Sequence, residues 1–411
     1  MPHAAIHALA LFAVILIIGI FIARIAVLIR VPDIILFIVA GIIVGPEGLG
    51  VVTIPSLSTV NNIVLVMGVS YIIFGGAIRL KFVFIRRVAI SLVLLATVGV
   101  TVSAVLTGLT AQYALGLSFT TALLLGMILA PTDPAALIPV FNSVRVKDKL
   151  VVTGISESAL NDATGAAMVF ALIPVVAAAG SGSSAGISLM PVLINFLKMS
   201  FGGLVVGLVV GYLFSLFVST HKTGILTEFA TVLTIPAATG AYLIAETMQF
   251  SGFMAVFFAG LAIGNADVMR INIDDRCHHK TEVFIEEISL LLRIGIFILL
   301  GSQLNFEIMG RYLWPSIIIV AVFMLVARPV SVLSCLPFDR RAGWKLKEMA
   351  FMFWVRETGA MPAALVGLLL SQGVPQAQII SSVVFVAILA TMLIQATTTE
   401  FVARRLGLTI E

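Results

Sequence analysis

Long apolar runs alternate with short polar and basic clusters along the whole chain. A bilayer hydrocarbon core about 30 Å thick is crossed by roughly 20 apolar residues in helical form. On that scale the pattern predicts about thirteen transmembrane helices, near 5–29, 33–45, 60–78, 88–113, 118–141, 150–178, 189–219, 225–245, 252–266, 283–304, 312–336, 346–371 and 376–402. The second and ninth are short, which predicts segments that are tilted, broken or sheltered by their neighbours. The first run lacks a basic leader and a small-residue cleavage site, so it reads as a retained helix rather than a signal peptide. The predicted fold class is all-α integral membrane, one polytopic unit over 1–411.

Charge sharpens this map. Thirteen spans put successive loops on alternate sides, and nineteen loop Lys and Arg then fall on one side against Arg311 alone on the other. The excess of loop cations marks the cytoplasmic side, which places the N-terminus outside and the C-terminus inside. Composition agrees. Hydrophobic residues make up 60% of the chain and charged residues 11%, well short of the roughly 25% charged residues of soluble domains. The net charge of +4 is scattered between apolar runs, which suits lipid headgroups and argues against a nucleic-acid partner. Cys277 and Cys335 match no metal or redox spacing. Gly180 to Gly186 reads as a flexible outer loop. There is no Walker-type phosphate loop, so no nucleotide or cofactor is implied.

The clearest ionisable residues inside the predicted spans are nine: Asp133, Glu157, Asp162, Lys198, Glu228, Arg293, Arg328, Arg356 and Glu357. Each costs about 2.5–3.5 kcal/mol on insertion scales. A lone one, such as Lys198 or Glu228, can snorkel or make a scaffold contact. Those on spans five, six and twelve form a cluster that points to function.

In span five, Pro131 and Pro134 flank Thr132-Asp133. Neither proline can donate a backbone hydrogen bond, so the helix is expected to break near mid-membrane, with Asp133 as a cap and Pro134 at the first position of a restarted helix. A simple proline kink is the plainer alternative. In span six, Glu157, Ser158, Asn161 and Asp162 cover roughly 140° of one helix face at 100° per residue. Two carboxylates, an amide and a hydroxyl suit a hard cation such as Na⁺, and there is no histidine or thiol nearby for zinc or copper. A satisfied interhelical hydrogen-bond patch is the plainer alternative here. In span twelve, Gly359 and Pro362 follow Arg356-Glu357 and predict a second break. Two breaks at corresponding positions are the mark of an inverted-repeat transporter.

These residues resemble the monovalent cation:proton antiporters of the prokaryotic Na⁺/H⁺ exchanger type (NhaP-like), relatives of the animal sodium/proton exchangers. Thr132-Asp133-Pro134 followed by Glu157-Ser158-Ala159-Leu160-Asn161-Asp162-Ala163 carries most of the likeness. Gly252 to Asn265, Leu299 to Leu304 and Arg328-Pro329 add to it. The resemblance implies an inverted-repeat antiporter fold whose two discontinuous helices, spans five and twelve, cross. It implies a homodimer in the prokaryotic plasma membrane that serves pH homeostasis. Within each protomer it implies a core bundle, taken as 88–178 and 312–402, and dimerisation helices, taken as 1–87 and 189–304. By the same resemblance Asp162 carries cation and proton in turn, and Ser158 and the Thr132 backbone ligate the cation beside Asn161. Glu157 pairs with Arg356 to hold the site's shape, supported by Asp133, Arg328 and Glu357. Asn161 stands where electrogenic relatives have a second Asp, which implies an electroneutral one-for-one exchange.

The expected function is exchange of Na⁺, with Li⁺ accepted, for H⁺ by alternating access. K⁺/H⁺ antiport on the same fold and a cation channel are the alternatives. An enzyme is not expected: an intramembrane aspartate dyad of Asp133 and Asp162 would leave Glu157 and Arg356 without a role. The family often has a carboxylate where Gly75 stands and a glycine where Glu357 stands. A compensating exchange between these two positions is a further expectation.

Overall fold

The computed structural model describes residues 2–29, 31–54, 58–133, 141, 146–180, 189–220 and 224–409. The chain forms helices α1 (Pro2–Ile29), α2 (Asp33–Val44), α3 (Thr59–Ile78), α4 (Ala89–Leu115), α5 (Phe119–Leu129), α6 (Asp148–Gly180) and α7 (Leu189–Val218). It continues with α8 (Ala230–Thr247), α9 (Gly252–Gly264), α10 (Asp275–Ser302), α11 (Phe306–Phe338), α12 (Leu346–Trp354), α13 (Ala360–Ser371) and α14 (Ala377–Leu406). Every predicted span overlaps one of these helices, the fifth only as far as Leu129, and the twelfth is divided between α12 and α13. Among the described residues, eight helices are long and apolar enough to cross a membrane by length and composition, and α2, α5, α9 and α13 are shorter apolar helices. Pro134, the helix expected to restart there, and the outer loop from 181 to 186 lie outside the described residues.

The short helices α2 and α9 are sheltered, as expected. α2 packs on α10 so closely that a Cβ on Gly41 would strike the Ile298 carbonyl, so glycine is required there. Twelve residues of α9 are buried, between α3, α7 and α8. By contrast α1 leaves Leu9, Phe12, Phe21 and Leu28 exposed, which suits contact with lipid or another apolar surface. Turns of π-helix interrupt α4 at Leu95–Gly99, α11 at Phe323–Ala327 and α14 at Thr391–Ala396. Such turns often accompany functional sites.

Burial divides the nine intramembrane ionisable residues. Lys198 and Glu228 are exposed, and Arg293 lies 3.9 Å from Asp33. These three fit the scaffold reading. Asp133, Glu157, Asp162, Arg328, Arg356 and Glu357 are all at most 2% exposed and gather where α5, α6, α11 and the gap between α12 and α13 meet.

A separate polar network joins the ends of α4, α6 and α12. Lys147 and Lys149 both reach Glu348, at 3.2 and 2.5 Å. Lys149 also lies 4.4 Å from the Trp344 ring centroid. Trp344 Nε1 donates to Ser91 Oγ at 2.8 Å, and Ser91 donates from its hydroxyl and its backbone N–H to Asp339 at 2.7 and 3.0 Å.

Candidate functional site

The site begins with two chain breaks that touch. α5 ends at Leu129 because Pro131 has no N–H to continue the ladder, and the Ala130 N–H closes the last turn on Gly126. The other break runs from Val355 to Gly359, between α12 and α13. The Asp133 N–H donates to the Glu357 carbonyl at 2.9 Å, and the Ala360 N–H donates to Asp133 Oδ2 at 2.8 Å. Asp133 therefore places its carboxylate at the positive N-terminal end of α13. Gly359 permits this approach, since a Cβ there would overlap the Asp133 carboxylate.

Arg356 returns the favour to the first break. Its Nη2 donates to the Ala130 carbonyl at 2.5 Å and the Leu129 carbonyl at 3.4 Å, and Nη1 donates to Ser103 Oγ at 3.0 Å. A guanidinium thus faces the negative C-terminal end of α5. It also lies 4.3 Å from the Phe323 ring centroid, a favourable cation–π distance. Each broken helix is capped by a charge from the other break.

Span six behaves as its spacing predicts. Glu157, Ser158, Asn161 and Asp162 are all buried on α6, and Ser158 meets the first break. Ser158 Oγ and Thr132 Oγ1 are 2.6 Å apart. Asn161 Nδ2 donates to Glu157 Oε1 at 3.4 Å, and Asn161 Oδ1 has no hydrogen-bond partner. Asp162 Oδ1 has none either. Asp162 lines a narrow crevice with Val69, Ile72 and Ile73 of α3 and Ala360 and Met361 of α13. Asp162 thus follows Asn161 directly and Ser158 by one turn on α6, and Ser158 in turn meets Thr132 at the first break.

The pairing expected between Glu157 and Arg356 is not formed. Arg328 takes Glu157 instead, through Nη1 to Oε1 and through Nη2 to Oε2 at 3.0 Å, a two-pronged ion pair. Its Nε donates to the Met352 carbonyl at 2.9 Å. The physical reason is reach and demand. Arg328 is presented by α11 toward α6, whereas the carbonyls left open by the break in α5 claim Arg356. The two positions of the expected Gly75–Glu357 compensation have different neighbours. A side chain at 75 would meet Ile285 and Ser289 of α10, while the Glu357 carbonyl adjoins Asp133 at the crossing. Sequence reasoning did not single out Ser103, Phe323 or the apolar wall of Val69, Ile72 and Ile73. These are ordinary residues of membrane helices, and only their placement sets them apart.

Among the described residues no group of three or more His, Cys, Asp or Glu side chains could hold a metal ion. The donors at Asp162 are of the hard-oxygen kind that suits an alkali cation.

The comparisons with known proteins concur with this geometry. The chain is 30% identical to the K⁺/H⁺ antiporter NhaP of Alkalimonas amylolytica over 92% of its own length, and it spans 63% of that relative. It is 26% identical to the probable Na⁺/H⁺ antiporter 2 of Methanocaldococcus jannaschii, covering 86% of this chain and 82% of the relative. Its fold superposes on the structure of the sodium proton antiporter MjNhaP1 of that organism with a TM-score of 0.80 at 25% identity, covering 96% of this chain and 99% of the other. The transmembrane sodium/hydrogen exchanger family matches residues 11–405. With its two touching helix breaks and the unpartnered oxygen of its buried Asp162, this chain belongs to the sodium/hydrogen exchanger family.

Proposed function

We propose that this protein is a secondary transporter that exchanges a monovalent cation for protons at Asp162. The observation that carries the reading is the unpartnered Oδ1 of a fully buried aspartate, one helical turn from the Ser158 hydroxyl that meets Thr132. A bare carboxylate at that depth is costly. A proton or a cation relieves the cost, and one carboxylate accommodates one of them at a time. Competition of this kind is what exchange at one site requires.

On this reading Asp162, Ser158 and Thr132 hold the cation, with Asn161 beside them. Arg328 and Glu157 are a fixed pair that keeps α6 in register. Asp133 and Arg356 hold the crossing. The core bundle is 88–178 with 312–402, and the scaffold is 1–87 with 189–304. Asp162 lies at their boundary, since its crevice is walled by α3 on one side and α13 on the other. Movement between these groups would open the crevice to each face in turn. The N-terminus is placed outside and the C-terminus in the cytoplasm of a prokaryotic plasma membrane, by the distribution of loop cations. A homodimer is proposed, and one cation for one proton follows from a single exchanging carboxylate.

Na⁺ is the principal cation proposed, with Li⁺ accepted. K⁺ is a second reading, favoured by the likeness to a K⁺/H⁺ antiporter. Proteoliposomes with an acid interior and a clamped membrane potential test both. Addition of Na⁺, Li⁺ or K⁺ is expected to collapse the proton gradient, and the cation that does so at the lowest concentration is the substrate. A gradient that survives all three would refute exchange, and a plain cation channel would give that result.

A further inference from the structure

The mechanism above leaves one buried acid unused. Glu357 is 0% exposed, and neither of its carboxyl oxygens has a hydrogen-bond partner. Its backbone carbonyl is fixed to the Asp133 N–H, so it cannot leave the crossing without breaking that bond.

The charged groups that act on Glu357 from neighbouring elements are Asp133 at the first break and Arg328 on α11. Asp133 has the same sign. Arg328 is already committed to both oxygens of Glu157 and to the Met352 and Val355 carbonyls. Arg356, adjacent in sequence, is committed to the Ala130 and Leu129 carbonyls and Ser103. The segment 134–140, which follows Asp133, reads PAALIPV and contains no titratable side chain. From α14 the groups facing this break are polar but uncharged. The Thr358 N–H donates to Thr391 Oγ1 at 3.1 Å, and Trp354 Nε1 donates to Thr398 Oγ1 at 2.8 Å. Gln395 lies between those two threonines on the same face of α14. It is 1% exposed, and neither its amide nitrogen nor its amide oxygen has a partner. Thr358 Oγ1 has none either. Buried polar atoms left open in this way mark a place where a proton or ordered water completes the bonding.

Charge counting gives the same answer by a separate route. Around the crossing stand four carboxyls, Asp133, Glu157, Asp162 and Glu357, against two guanidiniums, Arg328 and Arg356. Loading Asp162 with a proton or a monovalent cation removes one excess negative charge and leaves one. That remaining charge would sit in a low-dielectric interior, where an uncompensated ion is strongly disfavoured.

We propose that Glu357, in the break that meets α14 at Thr391, is a second proton-binding site whose proton stays with the protein while Asp162 exchanges its load. With Glu357 neutral, the loaded core carries no net charge and the empty core carries one negative charge. Only the loaded core then crosses the membrane cheaply, which is the condition for tight coupling. This inference rests on the exchange reading for its activity arm but not for its spectroscopic arm.

Infrared difference spectroscopy on the full chain in lipid, wild type against Glu357→Gln, tests it. At neutral pH the wild type is expected to show the carbonyl-stretch band of a protonated carboxylic acid that Glu357→Gln lacks. Saturating Na⁺ or K⁺ should remove the Asp162 contribution and leave the Glu357 band in place. Glu357→Gln and the apolar Glu357→Met, both permanently neutral, should exchange within about threefold of wild type in proteoliposomes. Absence of the Glu357 band at neutral pH overturns the proposal. So does loss of exchange in both variants when they are inserted and folded, because an ionised Glu357 would then be required. A wild type that shows the band but no exchange with any cation would sink the transport reading and leave this site standing.

Discussion

Glu157 and Asp162 sit five residues apart on one face of α6, both almost wholly buried, and the protein treats them in opposite ways. Glu157 has both oxygens gripped by Arg328 and a further bond from Asn161. Asp162 has an oxygen with no partner and a crevice in front of it. A carboxylate whose bonds are complete has little to gain from a proton or a cation. One whose bonds are incomplete gains from either. The contrast separates a charge that holds structure from a charge that can be exchanged, within less than two turns of the same helix.

The largest effect should come from Asp162→Asn. Cation-dependent proton movement in proteoliposomes should fall by more than about 100-fold, while yield and thermal stability in detergent stay near wild type. Exchange that persists in this variant would erase the distinction between the two acids.

Arg328→Ala should do the reverse and act on stability first. It strands Glu157 as an unpaired buried charge, at a cost of about 3–5 kcal/mol, visible as a lower melting temperature. Adding Glu157→Gln to Arg328→Ala should recover part of that loss, and a double variant no more stable than the single would count against the pair. Ser158→Ala is milder. It removes one hydroxyl from the Thr132 contact and a ligand from the site, worth about 1 kcal/mol. The apparent KM for the cation should rise several-fold with little change in melting temperature. An unaltered KM would remove Ser158 from the binding set.

The smallest effect lies away from the crossing, at Asp339, where the carboxylate is structural and outside the spans. Burial alone would raise its pKa, but hydrogen bonds from the Ser91 hydroxyl, the Ala342 N–H and the Ser91 N–H outweigh it and hold the group below its ordinary value. A carboxyl whose folded pKa is depressed contributes stability above its unfolded pKa, and that contribution fades as pH falls through the folded one. Wild type should therefore lose melting temperature more steeply than Asp339→Asn below about pH 4. Parallel acid profiles would show that these bonds contribute nothing to stability.

Much of this arrangement was legible in the sequence. Hydrophobic run length located the helices, including the short α2 and α9, because the thickness of a membrane leaves few alternatives. The proline and glycine positions marked both breaks, and the 100° rule placed four polar groups on one face of α6. What could not be read was which arginine meets Glu157. Arg356 stands in an extended stretch between α12 and α13, where helical spacing says nothing about side-chain direction. Its competing partners are backbone carbonyls, which leave no trace in side-chain chemistry. The wall of Val69, Ile72 and Ile73 was equally hidden, since an apolar residue in an apolar helix looks the same whether it faces lipid or a carboxylate. Nor could sequence distance reveal that Gly75 and Glu357 serve different surroundings.

The crossing also acts as a ruler on the chain. The Asp133 N–H meets the Glu357 carbonyl, and the Asp133 carboxylate meets the Ala360 N–H, while Arg356 reaches back to Ala130. Two residues separate Ala130 from Asp133, and three separate Arg356 from Ala360. A single inserted or deleted residue in either interval would put every one of these contacts out of step, whatever its side chain. Many substitutions in these two stretches should be survivable, but changes of length should not. A library of one-residue insertions and deletions scanned through 119–133 and 346–371 should therefore leave almost no functional clones between 130 and 133 or between 356 and 360.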